Sequence, residues 1–413
     1  MSLLTAVREA NWLNPERARV YGWMILIAFL ASAIWISVAN TLIFHTPDPL
    51  GGDFLSFYAA SKLALAGHAA DAWRPEIHGA VENSLFGGDH GYLAFFYPPP
   101  YLLACFPLAL LPFGVALCVW LGVTTAAGVA ALRAYLKGVA DIPLGWMPLI
   151  AFPAVWINMS TGQNGALTLA ILATGFWLAD RRPILAGLVL GLLVVKPQLA
   201  IVLPLAFAVT GRWKTFLATG LSAAALCVIA YLAFGTDAYA AFWANSQYAS
   251  QTLNNGLVDP ALMQSLFAAL RQYGAPLPVA YGAHALLATG ILGALTYLAL
   301  TRKPDAYTLG ALCVAATLLV TPFSLKYDLL ISAVPLGWLA VTGMTTGFRP
   351  WEKSVLLLAF FLPLLTRTFS VGLHLPIAPL VLLAIFVLVC RRVAALPVRS
   401  AYPWQRLPAA ARP

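Results

Sequence analysis

Charge is scarce in this chain. Asp, Glu, Lys and Arg make up 9% of its 413 residues, whereas 61% are hydrophobic. Soluble proteins run at roughly 25% and 45–50% respectively, and no aqueous fold buries so much apolar surface, but a lipid solvent accommodates it. Short blocks of alternating apolar and polar residues are also lacking. The apolar runs are long and unbroken, which disfavours a membrane barrel and leaves helices. Cysteine is sparse: Cys105, Cys118, Cys227, Cys313 and Cys390 all lie in apolar stretches, without CxxC or paired spacing, and read as packing residues. His68, His78, His90 and His374 have no metal-ligand spacing, so no metal site is expected. Solenoid repeats, low-complexity tracts and a soluble domain are absent as well.

What is present is an all-α, polytopic integral membrane pattern rich in Trp and Tyr, the rings that favour headgroup level. The net charge of +9 would point to nucleic acid in a soluble domain; here it is assigned to basic loops, with no nucleic-acid partner. These clusters are Arg8/Arg17/Arg19, Arg133/Lys137, Arg181/Arg182, Arg212/Lys214, Arg302/Lys303, Arg349/Lys353 and Arg391/Arg392/Arg399/Arg406. Lys and Arg mark cytoplasmic loops, so every segment between clusters must leave and return. Crossings are expected at 21–44, 98–132, 145–160, 163–180, 183–196, 197–211, 214–234, 277–300, 305–320, 328–346, 353–366 and 375–391, about 10–12 spans by the usual length requirement. Pro107 and Pro112 divide 98–132 into a re-entrant piece and a span, and 183–211 is short for two full crossings. The run after Tyr21 is long for a signal-peptide core and reads as a retained anchor.

The expected organisation is a cytoplasmic segment 1–20, a transmembrane unit 21–391 and a cytoplasmic tail 392–413. Outer loops fall at 45–97 and 235–276. Most of the 15 acidic residues but few of the 24 basic ones then lie outside, so polar chemistry collects on one face.

Candidate chemistry sits on that face. Asp53, after Gly51 and Gly52, is placed either to cap the helix 54–66, whose apolar and aromatic faces suit the interface, or to act as a general base. The triple proline of FFYPPPY (95–101) fixes an extended entry into the membrane. Gln163 and Asn164 in STGQNG either cap a helix or hydrogen-bond sugar hydroxyls. Lys196 interrupts an apolar run, and a cation there costs about 2.5–3.5 kcal/mol on insertion scales. It either snorkels to the outer surface or meets an anion such as a phosphate, beside a helix broken by Pro197. In the 248–274 loop, which also carries Asn254, Asn255 and Gln264, Arg271 either forks onto a phosphate or sits on a solvated face. Lys326 and Asp328, in TPFSLKYDLL with Ser324 and Tyr327, are expected to pair with each other unless they serve the site.

Taken in order, the Asp-Phe after the first span, YPP, GQN, KPQ and a late TPxS-like turn resemble glycosyltransferase family 87 over roughly residues 50–345. The resemblance implies a GT-C-type helical bundle that transfers mannose from polyprenyl phosphate to a lipid or glycan acceptor, without a cofactor. It places Asp53 at the catalytic carboxylate. Tyr97, Gln163, Asn164, Lys196 and Gln198 fall on the internal motifs, and Arg271, Lys326 and Asp328 join them as donor- or acceptor-binding candidates. Many members carry a Trp and a His in the late motif, where this chain has Leu325, Lys326, Tyr327 and Asp328. The expected location is the inner membrane, with the site facing the periplasm and both termini cytoplasmic. The rival functions are a transporter or flippase for a lipid-linked sugar and an assembly protein; one-sided loops without repeated halves favour the enzyme over the former.

Overall fold

The computed structural model describes residues 2–39, 51–86, 92–141, 145–254 and 259–397. His90, Asn255, the ends of the expected first outer loop at 45–50 and 87–91, and the tail beyond 397 lie outside the described residues. Among the described residues the chain is helical throughout, with no strand longer than the single bridge between Met263 and Leu325.

A short helix α1 (Leu3–Glu9) precedes α2 (Pro15–Ala39), an apolar helix that lies largely exposed on the bundle's edge. Next come α3 (Gly52–Leu65), a 3-10 turn Ala69–Trp73 and α4 (Pro75–Phe86). The expected helix after Asp53 therefore forms, but not as an interfacial helix with one free face. Residues Phe54 to Ser61 are all buried, because FLSFYAAS offers aromatic or small side chains in every direction and no polar stripe.

Proline sets the next boundaries. Pro99 and Pro100 open α5 (Pro99–Cys105), and Pro112 stands at the N-cap of α6 (Phe113–Val139), which gives the expected re-entrant piece followed by a span. The stretch 145–178 holds α7 (Met147–Ile150), α8 (Pro153–Thr161) and α9 (Gly165–Leu178). The region 183–209 holds α10 (Pro183–Gly191), a 3-10 turn to Val195, α11 (Pro197–Ala200) and α12 (Leu203–Val209). Gly187 and Gly191, four apart, let α10 lie against the following helix; a Cβ at Gly187 would stand 2.5 Å from Ala218 Cβ and 2.6 Å from the Thr215 carbonyl oxygen.

The segment 235–276, expected as an outer loop, begins as helix: α13 runs Trp213–Asn254 with a single non-helical residue, Gly235, at φ 76°. Glycine tolerates that backbone, so the chain kinks and resumes as helix. The short α14 (Leu266–Gln272) leads into α15 (Leu277–Arg302), α16 (Ala306–Val320), α17 (Ala333–Thr346), α18 (Glu352–Arg367) and α19 (Ala378–Ala394).

Six helices are long and apolar enough to cross a membrane among the described residues. The other expected crossings form shorter helices: 14–15 residues in α9 and α16 reach only about 21–22 Å, less than the ~30 Å hydrocarbon core. Their environment explains their length. Nearly every residue of α16 is buried, and it packs with α9, α17 and α19 at the centre of the core.

The basic clusters gather at one end of the bundle. Arg302 donates to the Leu396 carbonyl and Arg349 to that of Arg391. Arg212 binds Asp180 and the Pro304 carbonyl. Buried Arg392 pairs with buried Glu352 and donates to Thr346 and Gly347. The Trp351 amide meets the Arg8 carbonyl at 2.8 Å, which brings α1 to the same end. The acidic and amide candidates of the sequence lie at the opposite ends of α6 and α9.

Candidate functional site

The site begins with a turn. Gly51, at φ 80°, caps α3, and the Phe54 amide donates to its carbonyl at 2.8 Å. Asp53 therefore does not serve as the N-cap. It stands inside the first turn, where its carboxylate turns to a different segment: Gln163 Nε2 donates to Asp53 Oδ2 at 3.0 Å. Half-buried, α3 being outside the six long spans, Asp53 has its carboxyl raised above the ordinary carboxylate value by burial, against the opposing Gln163 hydrogen bond and the through-space pull of the Lys326 and Lys196 ammonium groups.

Gln163 is oriented from three sides. Its amide N–H donates to the Asn158 carbonyl at 3.1 Å. Its Oε1 accepts from Tyr97 OH at 2.9 Å and from the Asn164 amide at 3.3 Å. Both acceptances leave Nε2 as the end that must face Asp53, which fixes the amide's orientation. Tyr97 is placed by the proline entry after it and by Trp73, whose indole donates to the Tyr97 carbonyl at 2.9 Å. It lies against Tyr101, with ring centroids 4.2 Å apart.

Close backbone approach makes this possible. Gly162 adopts φ 73°, and a Cβ there would fall 2.6 Å from Phe54 Cβ and 2.8 Å from the Gly51 carbonyl oxygen. Trp120 donates to the Gly162 carbonyl at 3.2 Å. At Gly165 a Cβ would stand 2.6 Å from the Tyr327 carbonyl oxygen and 2.8 Å from Asn158 Oδ1. We expect Gly165→Ala to cost about 1–3 kcal/mol by overpacking. The check is a lower midpoint of thermal unfolding in detergent, while Gly220→Ala, where the same Cβ meets nothing within 4 Å, should hold or gain.

A second pair stands beside the first. Lys196 is buried at the break between the 3-10 turn and α11, and its Nζ donates to Asp328 Oδ1 at 2.6 Å. It does not snorkel. Nor do Lys326 and Asp328 pair: Asp328 reaches across to Lys196, and its Oδ2 accepts the Leu325 amide at 3.1 Å. Removing the cation from water is tolerable only with such a partner. The ammonium also lies 4.8 Å from the Tyr327 ring centroid and 5.9 Å from that of Tyr97. Tyr97 therefore touches both pairs.

The remaining candidates divide. Asn164 occupies the N-cap of α9 without a capping bond from its side chain. Its carboxamide is buried beside the Tyr97 and Tyr101 phenols, with neither nitrogen nor oxygen in a hydrogen bond of good geometry. Lys326 is half-buried and acts on Asp53 through space, and Gln198 is half-buried on α11. Arg271 neither lies open to solvent nor meets this cluster in its hydrogen bonds; it donates to the carbonyls of Ala275 at 2.9 Å and Asn254 at 3.4 Å. Trp120, Tyr101 and Asn158 were not singled out as site residues by the sequence. Asn158 is fully buried, and its carboxamide also lacks a hydrogen-bond partner among the described residues. The signal available was a polar residue inside an apolar helix five positions before Gln163.

Among the described residues no group of three or more His, Cys, Asp or Glu could hold a metal. The arrangement offers a raised-pKa carboxylate, buried carboxamides and a paired cation, which together suit proton abstraction from, and hydrogen bonding to, a hydroxylated substrate. Neither the curated proteins nor the solved structures contain a match to the chain. The sequence profile of glycosyltransferase family 87 matches residues 95–322, a segment that holds Tyr97, Gln163, Asn164 and Lys196, whereas Asp53 and Asp328 lie outside it. That is more than half of the 413 residues, and the chain belongs to glycosyltransferase family 87 as a multi-pass membrane glycosyltransferase.

Proposed function

We propose that this glycosyltransferase moves a hexose, most simply mannose, from polyprenyl phosphate to an acceptor hydroxyl with inversion at the anomeric carbon, at a periplasmic site. The observation that carries the reading is the Asp53–Gln163–Tyr97 chain standing beside the buried Lys196–Asp328 pair. In this mechanism Asp53 takes the acceptor proton as the acceptor oxygen bonds to the anomeric carbon. The carbon–phosphate oxygen bond breaks on the opposite face, and polyprenyl phosphate departs with the electron pair. Lys196, with donors beyond the one given to Asp328, and Lys326 face the developing phosphate charge. The buried carboxamides of Asn158 and Asn164, with no hydrogen bond of good geometry among the described residues, have donors and acceptors to offer sugar hydroxyls.

The test is transfer in membranes containing the chain, with radiolabelled polyprenyl-phosphate mannose and a lipid extract as acceptor. The labelled product's anomeric configuration is then determined. Product of inverted configuration supports the reading. Product of retained configuration rules out a single displacement by Asp53-assisted attack, and no product from any polyprenyl-phosphate sugar rules out the donor class. The transport alternative loses its footing with the family assignment.

The raised Asp53 carboxyl gives a pH signature. A base works only when ionised, so kcat/KM falls as pH drops through its pKa, and that acidic limb lies above the ordinary carboxylate range. Gln163 and Lys326 both favour the ionised form. Gln163→Leu and Lys326→Gln are therefore each expected to raise the pKa further and move the limb to higher pH, as read from kcat/KM profiles. A limb that stays in place in both variants would sink the assignment of the titrating group to Asp53.

A further inference from the structure

A second polar feature lies at the far end of the molecule. A groove of about 450 Å³ opens between the last turns of α6, the residues beyond α9 and Trp146, and it is lined by Arg133, Lys137, Arg181, Trp146 and Trp177. Its position along α6 is fixed by the helix: Arg133 and Lys137 are 13 and 17 residues beyond Trp120, or about 20 and 26 Å along the axis. The groove therefore lies at the end of α6 opposite Asp53.

Three cations converge there and none forms an ion pair within 4 Å among the described residues. The Arg133 guanidinium lies 4.7 Å from the Trp146 ring centroid, and its Nε is buried without a hydrogen-bond partner. The Arg181 guanidinium lies 5.9 Å from the Tyr307 ring centroid. Asp180 is committed to Arg212 and the Ala306 amide and Asp305 to the Thr308 amide at the start of α16, while Asp141, three residues beyond Gly138, is exposed. An arginine with an idle buried donor, its guanidinium over an indole, is arranged for an anion carrying several acceptor oxygens. Ala130, Ala134 and Gly138 also line the groove, four residues apart on one face of α6, and the Tyr307 ring covers Gly138, where a Cβ would run into its phenol oxygen. Tryptophans at the same level match the headgroup region.

We propose that this groove binds the phosphate headgroup of an anionic glycerophospholipid. Basic pockets between membrane helices hold phosphate headgroups by this chemistry. The site is independent of the transfer reaction and does not rely on the donor assigned above.

The experiment is native mass spectrometry of the full chain released from vesicles of phosphatidylglycerol, phosphatidylcholine with the same acyl chains, or phosphatidylcholine doped with undecaprenyl phosphate. The wild type should retain one phosphatidylglycerol, and Arg133→Gln/Lys137→Gln/Arg181→Gln should retain at least tenfold less. Lys137 is exposed, so Lys137→Gln alone should keep its lipid-free unfolding midpoint and lose about threefold. Lys214→Gln, an exposed cation on α13 outside the groove, should match the wild type. Equal retention in wild type and triple variant overturns the site, as does equal retention of phosphatidylcholine. Preferential retention of undecaprenyl phosphate that the triple variant abolishes overturns the phospholipid and assigns the groove to a polyprenyl lipid.

Discussion

Asp53→Asn is expected to lower sugar transfer by about 10²–10⁴-fold, the usual contribution of a positioned general base, while leaving the fold and donor binding intact. The reasons are local. The replacement is isosteric, and its Oδ1 can still accept from Gln163 Nε2, the one hydrogen bond that Asp53 makes to another side chain among the described residues. No ion pair within 4 Å is lost among the described residues, since Lys196 is satisfied by Asp328. Burial disfavours the carboxylate's charge, so the neutral amide should fold at least as well as the acid. The measurement is single-turnover transfer beside donor affinity and unfolding midpoint, all in detergent-solubilised protein. A drop in turnover with donor affinity held within about threefold identifies a group that acts on the acceptor proton. Turnover above one third of wild type would remove Asp53 from the reaction and leave its raised pKa as a by-product of burial. A parallel loss of donor affinity would instead make it a binding residue.

Much of this arrangement was legible locally. The Pro107–Pro112 break, the termination of a helix at Lys196–Pro197 and the gathering of basic clusters at one end all follow from residue type and spacing, because proline geometry and lipid solvation act through near neighbours. What was not legible is pairing across sequence distance. Asp328 looked two residues away for a cation and found one 132 positions away, since the Lys196–Pro197 junction and the 325–328 turn meet only after the bundle forms. Asp53 looked like a cap because it follows two glycines, yet Gly51 supplies the left-handed turn itself and frees the carboxylate for Gln163. Likewise the polar 235–276 stretch reads as a loop by composition, although Ala-rich sequence after Gly235 has the propensity to resume helix once a neighbour covers it. The segment that carries the family match begins at 95, and Asp53 is drawn to it by a hydrogen bond that no spacing rule encodes.

The second large effect is expected at Lys196. Lys196→Met and Asp328→Asn should each destabilise the protein by about 3–5 kcal/mol, because each strands a buried charge whose partner has gone. The double variant Lys196→Met/Asp328→Asn should recover most of that loss. It removes both charges together, and the asparagine oxygen can keep the Leu325 amide that now bonds Asp328 Oδ2. Stability and turnover should then part company. If Lys196 only neutralises Asp328, the double variant transfers sugar at the wild-type rate. If the ammonium also stabilises the leaving phosphate, turnover stays down by about 10²-fold in a protein whose unfolding midpoint has returned. A cycle of unfolding midpoints and single-turnover rates over the four proteins separates the two terms. Additive losses in stability would mean that the pair at 2.6 Å is not coupled, and the case for a buried cation held ready beside Tyr97 would fail with it. The physical logic runs from cost to purpose: an apolar pair would hold this junction more cheaply than two charges, and the proposed leaving phosphate would give the Lys–Asp pair beside Asp53 its reason to be charged.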